Sequence, residues 1–307
     1  MNSANWQGTK KMAKITKQIA RRKTTKKRVT VKSAIERITV KSAIDRIEPM
    51  GFDEDEGIKL SIYGQSGTGK TRTWSTFPKP ILAMIVSGGL RPGELRSIDT
   101  PENRKSIKCI NLLNSTEIQE LAAHQAETET FQTLVLDHAT GLQDLVLREI
   151  LGLESLPAQM SWGLATQQQY GQCTLKTKEC LRSLLSLACN IVIVAGEREF
   201  NTESDEELIK PTIGSALTPS LVGWLNYAAD YVCQNFIQRL KAEERVKIRG
   251  KTVTREVAGE DVGYYLRTRP NGVHSIKFRV PPGRECPVAI QNPTYAKIRK
   301  MIKGVML

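Results

Sequence analysis

The segment Gly64-Gln-Ser-Gly-Thr-Gly-Lys70-Thr71 constrains this chain more than any other, because it completes a G-x-x-x-x-G-K-T pattern directly after a short apolar run. In that run, Ile58 to Tyr63, Leu60 and Ile62 alternate as they would in a buried strand. A strand that breaks into a glycine-rich turn and then a helix can point its backbone N–H groups inward, where they cradle a phosphate. Lys70 supplies a point charge for the β- and γ-phosphate oxygens, and the Thr71 hydroxyl is a ligand for Mg²⁺. The helix opening at Lys70-Thr71 adds the positive end of its dipole. Gly64, Gln65, Ser66, Gly67, Thr68, Gly69, Lys70 and Thr71 are therefore the expected nucleotide-binding set.

Such a loop works with a carboxylate that holds the metal's water shell. Thr133-Leu-Val-Leu-Asp137, an apolar strand ending in an acid, supplies one, so Asp137 joins Thr71 as an expected Mg²⁺ ligand; the plainer alternative is an aspartate capping the helix that follows. A further apolar run, Asn190 to Ala195, leads into Gly-Glu197-Arg198. Ligands of parallel α/β sheets sit at the carboxyl ends of strands, which makes Glu197 a candidate for orienting water or sensing the γ-phosphate, against an ordinary surface charge.

Strands expected at 58–63, 81–87, 107–113, 133–137 and 190–195 alternate with helices at 71–76, 115–126, 140–151 and 174–188. That alternation predicts an α/β fold with a mostly parallel sheet covered on both faces. After a helix at 219–228 the pattern changes. A strand through Asp230–Phe236 and a basic stretch lead to Tyr264–Arg269. With the Pro270-Asn-Gly272 turn and Val273–Val280 this predicts a hairpin, and so an antiparallel C-terminal extension.

The formal charge of +13 is unevenly placed. Residues 1–47 carry fourteen Lys and Arg against two acids, while the remainder holds 31 bases and 30 acids. A nearly neutral body thus bears a cationic, disordered arm, which predicts a salt-sensitive tether for polyanions. A solubilising tail and a mitochondrial presequence share this composition; lysine dominance and the lack of a clear cleavage pattern speak against the presequence. The arm closes on a nine-residue tandem repeat, residues 30–38 and 39–47, too short to bury a core. Residues 48–57 switch to acidic and read as a linker into a domain spanning 58–307. Six scattered cysteines form no C-x-x-C pair, and no run approaches the about 18 apolar residues of a membrane span. The expectation is a reduced, cytoplasmic chain without a membrane partner.

On these motifs the chain resembles the RecA-like P-loop ATPases, and among them phage nucleotide-binding proteins that include single-strand-annealing recombination ATPases. The resemblance runs over about 57–285 and rests on GQSGTGKT, Gly88-Gly89-Leu90, TLVLD, Trp162-Gly163, IVIVAGER and Asp230-Tyr-Val. It implies ATP with Mg²⁺, single-stranded DNA as partner, a homo-oligomer built as a ring or filament, and a replication or recombination protein nearby. It also implies a role for Lys277 and Arg279, which sit two apart on one expected strand: in related ring and filament ATPases a Lys-x-Arg pair reaches the neighbouring subunit's γ-phosphate. A pair of exposed strand cations is the alternative.

Two departures bear on mechanism. Ser87 stands where such enzymes usually carry the water-activating glutamate, so hydrolysis is expected to be slow, or Glu197 or Glu94 substitutes. The loop after Glu197 holds Glu199, Glu203, Asp205, Glu206 and Glu207, which would repel phosphates. DNA is then expected to follow the arm or the basic segment from Arg239 to Arg255, with Tyr264, Tyr265 and Phe278 as stacking candidates. A nucleotide-gated binding or loading module is the competing reading. A small-molecule kinase is a third, weakened because no arginine cluster lies near the loop.

Overall fold

The computed structural model describes residues 57–86, 95–154, 165–200, 212–248 and 251–305. The arm 1–47, the acidic stretch 48–56, Ser87 to Leu90, Glu94, Trp162-Gly163 and the acids from Glu203 to Glu207 lie outside the described residues.

In chain order the elements are β1 (Lys59–Tyr63), α1 (Lys70–Trp74), β2 (Ile81–Ile85), α2 (Pro101–Ser106), β3 (Ile107–Asn111), α3 (Thr116–Thr128), β4 (Thr133–Asp137), α4 (Ala139–Leu151), α5 (Gln167–Leu185) and β5 (Asn190–Ala195). There follow β6 (Glu197–Glu199), β7 (Ile213–Ser215), α6 (Pro219–Ala228), β8 (Tyr231–Ile248), β9 (Lys251–Arg267), β10 (Ala289–Gln291) and α7 (Tyr295–Ile302). Eight strands form one sheet in the order β10-β9-β8-β1-β5-β4-β2-β3, while β6 and β7 pair separately. From β8 to β3 every neighbouring pair is parallel, and β8–β9 and β9–β10 are antiparallel. The expected class, a mostly parallel α/β sheet with an antiparallel C-terminal side, is what the chain adopts.

The central strands are apolar because both faces are covered. Leu60 and Ile62 of β1 and Val192 and Val194 of β5 pack toward α1 and α7, with Trp74 and Ile298. Leu134 and Leu136 of β4 and Ile191 and Ile193 of β5 pack on the other face, with Leu142 of α4 and Leu181 of α5. Complete burial of each such side chain contributes roughly 1.5–3 kcal/mol.

Two expectations need correction. Helix α5 begins at Gln167 rather than 174, because Thr166 and Gln169 form a capping box: each side chain bonds the other's backbone N–H. Val273–Val280 does not pair with Tyr264–Arg269. The Asn271 carboxamide accepts from the N–H groups of Val273 and His274, which closes a side-chain-held bend in place of the expected hairpin turn. Both edges of β9 there are already taken, by β8 and β10. The segment instead bridges β7 at Ile213–His274 and β8 at Val232–Lys277. The partner of β9 is β8, paired from Gln234–Arg267 out to Ile248–Lys251. Since β8 meets β1 only as far as Gln234 and β10 covers only Tyr265–Arg267, the outer pairings form a two-stranded ribbon leaving the sheet.

Candidate nucleotide site

The strand order sets the site. β5 lies between β1 and β4, so the loop after β1 is flanked on one side by the end of β4, which carries Asp137, and the end of β5, two residues before Glu197, and on the other by β8 and β9. These ends surround a cleft of about 910 Å³ lined by the loop residues other than Thr68, together with Asp137, His138, Glu197 and Tyr264.

The loop owes its shape to contacts on both flanks. A Cβ on Gly64 would lie 2.3 Å from the carbonyl oxygen of Asn235 in β8, so the loop starts pressed against that strand. Gly69 has φ +86°, and a Cβ there would lie 2.8 Å from the Tyr264 ring. The Thr68 hydroxyl donates to the Gln65 carbonyl at 2.8 Å, closing the turn. Asn235, fully buried, donates its amide to the Thr73 hydroxyl at 3.0 Å and more weakly to the Thr68 carbonyl. Sequence reasoning missed Asn235; a polar residue inside an otherwise strand-like run was the available signal.

Lys70 donates its ammonium to the carbonyls of Gly64 at 2.8 Å and Gln65 at 2.7 Å, so the charge is held at the mouth of the loop. Burial pushes its pKa down, opposed by the carboxylates of Asp137 and Glu197. An entering phosphate would favour the same cationic form. Asp137 ends β4, and its carboxylate accepts from the indole N–H of Trp74 at 3.1 Å. A buried indole N–H needs such a partner, and this bond ties α1 to β4. His138 caps α4, its Nδ1 accepting from the Gly141 N–H at 2.8 Å, while lining the cleft.

Glu197 is fixed by two amides. Its carboxylate accepts from Gln65 of the loop at 3.2 Å and from Gln234 of β8 at 2.7 Å. The Gln234 carbonyl in turn accepts from Arg267 Nε at 2.9 Å, which orients the amide N–H groups toward Glu197. Arg267 lies over the Phe236 ring, 4.5 Å from its centroid.

The Lys277–Arg279 pair lies elsewhere; neither residue lines the cleft. Lys277 spends its ammonium on the carbonyls of Asn226, Tyr227 and Ala229, capping the C-terminal end of α6, where a cation complements the helix dipole. Arg279 is exposed. Of the three stacking candidates, Tyr264 lines the cleft, Tyr265 stacks on Phe236 at 5.4 Å, and Phe278 packs on Tyr231 at 5.0 Å. Glu199 is exposed on β6.

The residues present fit a nucleotide with Mg²⁺. Gly67 faces open space at the tip of the loop, and Thr71 and Asp137 bring hard oxygen donors to one cleft. Among the described residues no group of three or more His, Cys, Asp or Glu could hold a metal. A Mg²⁺ ion at Thr71 and Asp137 would complete its shell with phosphate and water oxygens, and would supply charge neutralisation for the phosphates. No helix among the described residues is long and apolar enough to cross a membrane.

Comparison with known proteins bears on this site. No curated protein matches the sequence. Among solved structures, the flagellar accessory protein FlaH from Methanocaldococcus jannaschii is similar, at 10% identity and a TM-score of 0.38, over 77% of this chain and 85% of that one. A KaiC-like protein from the hyperthermophilic archaeon Pyrococcus horikoshii is similar at 16% identity and a TM-score of 0.35, over 70% of this chain and 90% of that one. The sequence matches the AAA domain over residues 56–258, a span holding the glycine loop, Asp137, Glu197 and most of the ribbon. This chain, with its nucleotide-binding, P-loop ATPase-like core, belongs to the AAA domain family.

Proposed function

We propose that this chain is an ATP- and Mg²⁺-dependent ATPase that acts on single-stranded DNA as a homo-oligomer, of the type that serves phage recombination and annealing in a bacterial cytoplasm. The observation that carries the ATPase part is the convergence of Lys70, Asp137 and Glu197 on one cleft beside the glycine loop. In this reading the loop N–H groups and Lys70 hold the triphosphate, and Thr71 with Asp137 holds Mg²⁺. Glu197, fixed by Gln65 and Gln234, orients the attacking water.

The DNA part rests on charge: the body is almost neutral and the first 47 residues carry a net +12. Arg279, exposed and outside its own cleft, is the cation suited to reach a neighbouring subunit, whereas Lys277 is committed to α6. A replication or recombination protein is the expected further partner.

A second reading, a nucleotide-gated module with little hydrolysis that loads another enzyme, is favoured by the two amide bonds that already occupy the Glu197 carboxylate. ATP turnover by nuclease-treated protein, with and without added single-stranded DNA, separates the two. Strong stimulation is expected for the DNA-coupled ATPase. Tight ATP binding with flat, negligible turnover would favour the switch, and unchanged turnover on DNA addition would remove DNA as the effector.

A further inference from the structure

We infer that Tyr264 of the ribbon's base and Arg72 of α1 form a nucleobase platform for this cleft, so that the nucleoside is recognised on the ribbon side of the loop, away from Asp137 and Glu197. The inference rests on the nucleotide reading of the site and assigns a direction to the ligand. Asp137 ends β4 and Glu197 follows β5, on one flank of the loop. A triphosphate whose terminal phosphate points to those carboxylates runs its nucleoside toward the opposite flank. That flank is β8 and β9, with Tyr264 three strands away from Glu197, a span of about 14 Å at the usual strand spacing.

The opposite flank has the right chemistry. Tyr264 abuts Gly69, and the exposed Arg72 guanidinium lies 5.1 Å from the Tyr264 ring centroid. A planar cation beside an aromatic ring presents two surfaces on which a base can stack. Ile237, opposite Tyr264 in the β8–β9 register, is 49% exposed, and Val262, next along the same face of β9, is 47% exposed. These side chains continue the face of the ribbon that bears Tyr264, beyond the residues that line the cleft. The platform is rigid at the backbone: Tyr264 is paired to Ile237, and its carbonyl accepts from the Asn292 N–H at 2.7 Å. By contrast Tyr265 and Phe278 are occupied in ring stacks of their own.

Stacking on such a platform is tolerant of base identity, and a purine offers the larger face. The test compares ATP with inorganic tripolyphosphate, which shares the phosphates and lacks the nucleoside, on full-length protein. Tyr264→Ala is expected to weaken ATP binding about 5- to 150-fold while leaving tripolyphosphate unchanged. Tyr264→Phe, which keeps the ring, is expected to retain ATP affinity within about 2-fold, and Arg72→Ala to weaken ATP selectively and by less. In Tyr264→Trp, fluorescence measured against the parent protein should be quenched by ATP and not by tripolyphosphate.

Equal loss of both ligands in Tyr264→Ala would show that the ring only supports the loop, and unchanged ATP affinity would remove the platform; either overturns the inference. Quenching of Tyr264→Trp by a single-stranded oligonucleotide in place of ATP would overturn it too, reassigning the ring to DNA. If the parent protein binds neither ATP nor tripolyphosphate, the nucleotide reading itself fails, and the platform with it.

Discussion

The parallel half of the sheet and the β8–β9 ribbon obey different rules. Strands β1 to β5 are five or six residues long, and helices cover both of their faces. The ribbon strands run 18 and 17 residues, and only their first pairings touch the sheet. Burial dictates composition in the first region, whereas in the second each strand's long outer part is paired only with the other strand. Yet the nucleotide cleft draws on both. The loop, Lys70 and Asp137 come from the short strands and their connections, while Gln234, Asn235 and Tyr264 come from the base of the ribbon. A rigid half thus supplies the phosphate chemistry, and the half that leaves the sheet holds that chemistry in place.

This contrast can be broken experimentally. The largest effect is expected for Lys70→Ala, which removes the charge at the loop mouth and should lower nucleotide turnover or binding by at least about 100-fold; unchanged turnover would sink the site. Next, Leu60→Ala in β1, whose side chain is fully buried, should cost about 2–5 kcal/mol in denaturant unfolding. Ile237→Ala in the ribbon, half exposed, should cost under about 1 kcal/mol. Equal costs would erase the distinction between the two regions.

A smaller effect sharpens their junction. Asn235→Ala removes the bonds that tie α1 and the loop to β8 and should cost about 1–3 kcal/mol while also weakening nucleotide binding. Loss of stability with nucleotide affinity intact would make Asn235 a packing residue only.

A further test concerns the parallel half alone, at Glu149 of α4. Burial alone would raise its pKa. The bonds from Lys176 and from the Ser115 hydroxyl and N–H outweigh that and hold it below the usual carboxylate value. A depressed folded pKa gives stability that is present above the unfolded value and lost as pH falls through the folded one. Glu149→Gln should therefore be less stable than the parent by about 1 kcal/mol at neutral pH, with the gap closing below about pH 4. A gap that stays constant down to acid pH would contradict that assignment.

The same division explains how much could be read from the sequence. Strands β1 to β5 and helices α3, α4 and α6 fall close to their expected positions, because apolar runs alternating with amphipathic helices carry a local period. The glycine loop, Lys70, Thr71 and Asp137 are legible for the same reason: each is marked by residues within a few positions of itself. The early start of α5 was also written locally, in Thr166 and Gln169. What the sequence hid is non-local. Gln234 reaches Glu197 across 37 residues, Trp74 reaches Asp137 across 63, and Asn235 reaches Thr73 across 162. No spacing rule encodes such pairs. The chain does bend at Pro270-Asn-Gly272, but the segment after it finds other partners because the edges of β9 are full.

The two flanking glycines of the loop also bear on how this lineage can drift. A side chain at Gly64 would collide with a backbone carbonyl of β8, and one at Gly69 would meet both an unfavourable φ and the Tyr264 ring. Both restraints come from folding rather than from catalysis. A descendant that had lost its chemistry would still be selected to keep both glycines, whereas the ammonium of Lys70 bonds two carbonyls of its own loop and relieves no backbone collision. Across relatives, retention of the glycines will track the fold, and retention of the lysine will track the activity.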